Sequence, residues 1–133
     1  LKQISVETRR RTELVDITAQ VESAVREAGL EDALCTIFVP HTTAAVTINE
    51  NADPDVAHDI LTMIDTVIPF GSPSYRHGEG NSAAHIKSSL LGCSETVVVE
   101  GEILRLGTWQ GIYFAEFDGP RRRKVWLSFS SLL

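Results

Sequence analysis

Three of the four histidines in this chain fall in two short polar segments, Pro40–Asp53 and Tyr75–Lys87. A neutral imidazole serves as metal ligand, hydrogen-bond donor or proton carrier near neutral pH, so such a concentration marks candidate chemistry. In the first segment His41 follows Pro40 at the end of an apolar run, and strand ends are where scaffolds present reactive side chains. Thr42 is adjacent, and Asn49, Glu50 and Asp53 supply oxygens further on. Taken alone, this stretch reads as a histidine satisfying a local hydrogen bond, then a turn that ends in a helix cap.

The second segment runs His77-Gly78-Glu79-Gly80-Asn81-Ser82-Ala83-Ala84-His85. Gly78 and Gly80 free the backbone to approach a ligand, and a helix capped by Asn81 or Ser82 follows at once. Exposed amides at that helix start attract a phosphate or carboxylate, and Lys87 adds a positive charge nearby. His85 falls in the first helical turn, where the helix dipole favours the neutral ring. The alternative is a glycine-rich loop with an ordinary cap. Two histidines at i and i+4 around a glutamate, the zincin pattern, do not occur.

Taken together, the segments point further than either alone. His41, His77 and His85 with an open fourth position would suit a divalent metal, zinc above all. Glu50, Asp53 or Glu79 could complete the shell or act as general base on a bound water, with Glu50 and Glu79 the catalytic candidates. The remaining histidine, His58, lies off the apolar stripe of its helix and reads as a surface residue. A third segment, Gly107-Thr108-Trp109-Gln110-Gly111, offers a flat aromatic face in Trp109 and both a donor and an acceptor in Gln110. Packing into a core or subunit contact is the other use of such a tryptophan. Trp126, inside the last expected strand, reads as core. There is no nucleophile elbow, P-loop or dinucleotide fingerprint. Cys35 and Cys93 form no CxxC pair.

These residues must be positioned by the elements around them. Lys2–Glu7 alternates as a strand, the Arg9–Arg11 cluster makes a turn, and Thr12–Val15 is expected to return beside the first strand. Ile17, Val21, Ala24, Val25 and Ala28 stripe a helix begun by Asp16 or Thr18 and closed by Gly29. Leu34–Val39 and Ala44–Ile48 read as strands. Asp53-Pro54 starts a helix striped by Val56, Ile60, Met63, Ile64 and Val67. Pro69–Gly80 is a long loop, and the helix after it ends at Gly92. Four strands then follow, Thr96–Val99, Ile103–Leu106, Ile112–Phe117 and Lys124–Ser130, whose close spacing predicts an antiparallel meander. The sum is one α+β domain over residues 1–133, mostly antiparallel sheets with about three helices packed on them.

Composition sets limits on function. The 133 residues are 43% hydrophobic and 23% charged, ordinary for a globular chain. No apolar run approaches the roughly 20 residues of a membrane helix, and the first residues alternate instead of forming a signal core, so a cytoplasmic protein is expected. A net charge of −6 opposes nucleic-acid binding, and the basic clusters Arg9–Arg11 and Arg121–Lys124 are expected in solvated turns.

Five segments in order resemble the YjbQ-like family, often labelled secondary thiamine-phosphate synthase. They are His41–Ala45, Ile48–Pro54, His77 with Glu79–Lys87, Leu106–Gly111 and Glu116–Arg121. The resemblance implies a sandwich-like α+β fold, a homotrimer with sites near subunit contacts, and a metal at the histidine cluster. It also implies formation of thiamine phosphate from a hydroxymethylpyrimidine diphosphate and a thiazole phosphate. Displacing diphosphate usually calls for magnesium held by carboxylates, whereas imidazoles favour zinc, so that reaction fits best as a side activity. The working expectation is a metal-dependent enzyme acting on a small phosphorylated or heteroaromatic substrate. The alternative is a non-catalytic small-ligand or metal-binding module using the same pocket.

Overall fold

The computed structural model describes residues 1–132. Its strands are β1 (Lys2–Glu7), β2 (Glu13–Asp16), β3 (Asp32–Phe38), β4 (Ala44–Glu50), β5 (Ser94–Glu100), β6 (Ile103–Leu104), β7 (Gln110–Glu116) and β8 (Arg122–Ser131). Its helices are α1 (Thr18–Ala28), α2 (Pro54–Val67) and α3 (Ser82–Leu91). The strands form a five-stranded sheet ordered β1-β8-β3-β5-β6 and a three-stranded sheet ordered β2-β7-β4, antiparallel throughout. The α+β class read from the sequence is therefore the observed one.

Period-two alternation places the core. Ile4 and Val6 of β1, Cys35 and Ile37 of β3 and Val125 and Leu127 of β8 face Val46, Ile112 and Phe114 of the smaller sheet across one buried cluster, joined by Val21, Ala24 and Val25 of α1. The opposite face of the smaller sheet carries Ala45, Ala115 and Phe117, covered by Ala84 of α3 with Leu61 of α2 partly buried beside them. The small residues there let α3 lie close on β4. The layers are large sheet, small sheet, then α2 and α3.

The start of α2 and the end of α1 are capped as their chemistry requires. Asp53 Oδ1 accepts the Asp55 amide at 2.9 Å, with Pro54 at the first helical position of α2. Gly29 closes α1 at a positive φ of 64°.

Several expectations are corrected. The strand after the arginine turn pairs with β7, not with β1, because the turn carries the chain across to the second sheet. Leu14 and Val15 then face opposite clusters. The closing strands do not form a meander: β5 pairs with β6, but β7 lies in the small sheet and β8 inserts between β1 and β3. Alternation says which face of a strand is buried, not which strand lies beside it. Trp126 is not core. It stands half-buried on the outer face, stacked on Phe38 with centroids 5.9 Å apart, and its Nε1 donates to Gln3 Oε1. The apolar stripe of α2 is present, yet no residue of that helix is buried, and Met63 and Val67 are 62% and 68% exposed. Ala28 is also exposed.

Candidate functional site

The connection from β3 to β4 turns at Pro40 and holds His41, Thr42 and Thr43 over one end of both sheets. α3 begins at the same end, since its first turn packs on the Ala44 end of β4. The three sequence-predicted histidines are thereby brought together: His41, His77 and His85 line one open pocket of about 490 Å³ with Thr42, Glu79 and Asn81. Asp118, Arg121 and Arg123 close its other side.

His77 and His85 meet edge to face, with ring centroids 5.4 Å apart. Glu79 Oε2 lies 3.9 Å from His77 Nε2. Gly80 adopts a φ of 75°, which lets the loop return to the helix start. Asn81 occupies the N-cap position of α3 but does not cap it; its Nδ2 donates to Asp118 Oδ2 at 2.9 Å. Ser82 borders a neighbouring groove with Tyr75, His77 and His85, and Gly78 is exposed on the loop.

Beneath the pocket lies a buried ion pair that sequence reasoning missed. Glu116 is fully buried, and Arg123 is 5% exposed. Arg123 Nε and Nη2 both donate to the Glu116 carboxylate, and Nη2 also donates to Thr43 Oγ1 at 2.8 Å. Thr8 Oγ1 and the amides of Phe117 and Asp118 complete the carboxylate's partners. Gly119 crosses so closely that a Cβ there would overlap the Arg10 carbonyl, Glu116 and Thr8. A signal existed: Glu116 continues the inward series Ile112, Phe114, and Arg123 precedes the inward series Val125, Leu127. A charge in phase with a core face is a buried charge, and a buried charge needs a partner. The solvated-turn reading thus holds for Arg121, which is exposed, and fails for Arg123.

His41 Nε2 accepts the Lys124 amide at 3.0 Å. Burial, then the Arg123 guanidinium, lowers its pKa below the ordinary histidine value. The donor set for a metal is correspondingly short, because His41 has its free lone pair engaged. Among the described residues no three His, Cys, Asp or Glu side chains are placed to hold one ion. The rings of His77 and His85 touch each other and make no hydrogen bond among the described residues, with Glu79 near His77. Cys93, just past the end of α3, borders a groove that also touches His41 and His85.

The other expected site residues lie elsewhere. β4 is seven residues long, so its Glu50 end is about 20 Å from its Ala44 end. Asn49, Glu50, Asp53, Trp109 and Gln110 gather at that far end, where Glu50 pairs in register with Gln110. Asn49 and Glu50 continue β4 instead of forming a turn. Asn51 Nδ2 donates to Asp16 Oδ2, Tyr113 donates to the Glu50 carbonyl, and Trp109 is 62% exposed. Lys87 does not face the histidine pocket: it is buried and bonded to Asp65 Oδ1 at 2.9 Å, in a smaller cavity with Arg11 and Phe70.

A profile described as UPF0047 protein YjbQ-like matches residues 2–131. The chain belongs to the UPF0047 (YjbQ-like) family. UPF0047 protein MJ1081 of Methanocaldococcus jannaschii is 54% identical over 92% of this chain and 88% of that protein. UPF0047 protein YugU of Bacillus subtilis is 52% identical over 96% of each. Among solved structures, a YjbQ/UPF0047 protein of Clostridium acetobutylicum superimposes with a TM-score of 0.95 at 52% identity, covering 98% of this chain and all (100%) of that one. The conserved hypothetical protein TT1486 of Thermus thermophilus gives 0.91 at 42% identity, with coverage of 98% and 100%. The YjbQ-like fold thus extends over essentially the whole chain, and no helix among its described residues is long and apolar enough to cross a membrane.

Proposed function

We propose that this UPF0047 protein is an enzyme acting on a small phosphorylated or heteroaromatic substrate in the histidine pocket. The observation that supports it is the convergence of His41, His77 and His85, from two segments whose histidines are 36 residues apart at their nearest (77 − 41), beside two arginines. His77 and His85 are suited to move protons, with Glu79 near His77 as a base. A divalent ion, zinc by preference for imidazole, would be held by those two rings, with further donors from the substrate or another chain. When bound, it would polarise a phosphoryl or hydroxyl oxygen.

The named instance is thiamine-phosphate formation as a side activity. There the thiazole nitrogen bonds to the pyrimidine methylene carbon, and diphosphate leaves with the electrons of the broken C–O bond. Incubation with both precursors, followed by chromatography for thiamine phosphate, tests it directly. His85→Ala is expected to lower both turnover and zinc content; if both stay at the wild-type level, the assignment is wrong. If substrate raises the melting temperature and no product forms, the pocket belongs to a non-catalytic binding module.

A homotrimer is part of the same proposal. The unburied apolar stripe of α2 supports association of copies. The separation of the histidine end from the acidic end with Asp16, Glu50 and Asp53 supports a head-to-tail contact that would bring Glu50 and Trp109 to a neighbour's histidines. Mixing inactive His85→Ala and Glu50→Ala chains should then restore some turnover, and sedimentation should show three chains per particle.

A further inference from the structure

We propose that His41 and Arg123 form a fixed oxyanion cradle in the histidine pocket, leaving His77 and His85 as its reactive pair. This rests on the reading of the pocket as a site for a phosphorylated compound, and it names the groups that hold the phosphate.

The Lys124 amide that meets His41 Nε2 can only donate, so that nitrogen carries a lone pair. In the neutral ring the proton then sits on Nδ1. His41 therefore has an N–H to offer and no second lone pair for a cation. Arg123 is similarly committed: Nε and Nη2 are taken by Glu116 and Thr43. Nη1 keeps two N–H groups that find no partner among the described residues, in a side chain that is otherwise buried and lines the same pocket.

Neither donor can swing freely. Strand backbone holds the imidazole, and a bidentate carboxylate with a threonine hydroxyl holds the guanidinium. Donors fixed in advance stabilise a negative oxygen without reorganising when it arrives. His77 and His85, by contrast, make no hydrogen bond through either ring among the described residues, and both keep lone pairs for protons or a metal. The cradle takes a phosphate monoester or diphosphate. A phosphoryl group has enough oxygens to meet the N–H groups of both His41 and Arg123 and still face the free pair, whereas a carboxylate has only two.

The test uses the full chain and two probes, inorganic phosphate and zinc alone. Imidazole ¹⁵N shifts should show His41 with its proton on Nδ1, unchanged by zinc, while His77 and His85 respond to it. Phosphate should shift His41, and Arg123→Lys should weaken phosphate binding about tenfold or more, the loss of one charge-assisted hydrogen bond. If zinc removes the Nδ1 proton of His41, or if folded Arg123→Lys binds phosphate as wild type does, the cradle is wrong. Should Arg123→Lys not fold, the His41 spectrum of the wild-type chain decides alone. A wild-type protein that binds phosphate in this way and turns nothing over leaves the cradle standing and removes the enzymatic reading.

Discussion

Arg123 lies side-on against Glu116, giving both Nε and Nη2 to one carboxylate at the end of the core between the two sheets. The pair closes that end of the core, with Arg123 lining the histidine pocket and Glu116 fully buried behind it. Removing one partner leaves the other charged and out of water, which typically costs ~3–5 kcal/mol. Glu116→Gln should destabilise the chain by about that amount in urea unfolding. The double variant Glu116→Leu, Arg123→Met should recover much of the loss while abolishing phosphate binding. Equal stability of Glu116→Gln and wild type would show that the pair is solvated.

At the opposite end, Gly111 is required by its neighbour. A Cβ there would overlap the side chain of Asn51, which donates to Asp16. Gly111→Ala should cost on the order of 1–3 kcal/mol, the usual range for overpacking. Adding Asn51→Ala should return part of it, and a strictly additive double variant would refute the steric account.

The two thiols should differ sharply. Cys35 is buried in β3, and burial pushes its pKa from 9.0 to about 11, whereas Cys93 is exposed. One thiol per native chain should react with a disulfide reagent, and two after unfolding. The folded state holds the Cys35 proton more tightly than the unfolded state, so the associated stability is intact below pH 9.0 and lost as pH rises toward about 11. Cys35→Ala should flatten that alkaline fall in melting temperature.

His41 acts at the other end of the pH scale. Its folded pKa lies below the ordinary 6.5, through burial and the nearby Arg123 charge. The unfolded chain therefore binds the proton first as pH falls below 6.5, and stability declines there until the folded ring titrates as well. His41→Asn should make melting temperature less dependent on pH in that window. An unchanged slope would mean that other groups carry it.

Much of the fold was legible because local chemistry specifies it. The period-two strands, the Asp53-Pro54 start of α2 and the glycine stop of α1 each follow from side chains within a few residues of one another. The two histidine segments were also legible, since small, polar and glycine residues crowd around imidazoles that have no place in a core. Sheet membership was not legible. Thr12–Val15 reads as a strand wherever it is placed, and only the packing of both sheets around Phe114 and Ile37 decides that the partner of β2 is β7.

The site divides in the same way. Sequence alone determined that His41, His77 and His85 stand apart from the core pattern, and that Lys87 and Glu50 carry charge close to them along the chain. Tertiary structure decided that Lys87 turns away to Asp65, that Glu50 lies a strand's length away, and that Glu116 and Arg123 lie beneath the histidines. Proximity along a chain fixes a residue's neighbours for only about one turn of helix or one strand. Beyond that reach, burial and the pairing it demands of charges determine which residues share a site.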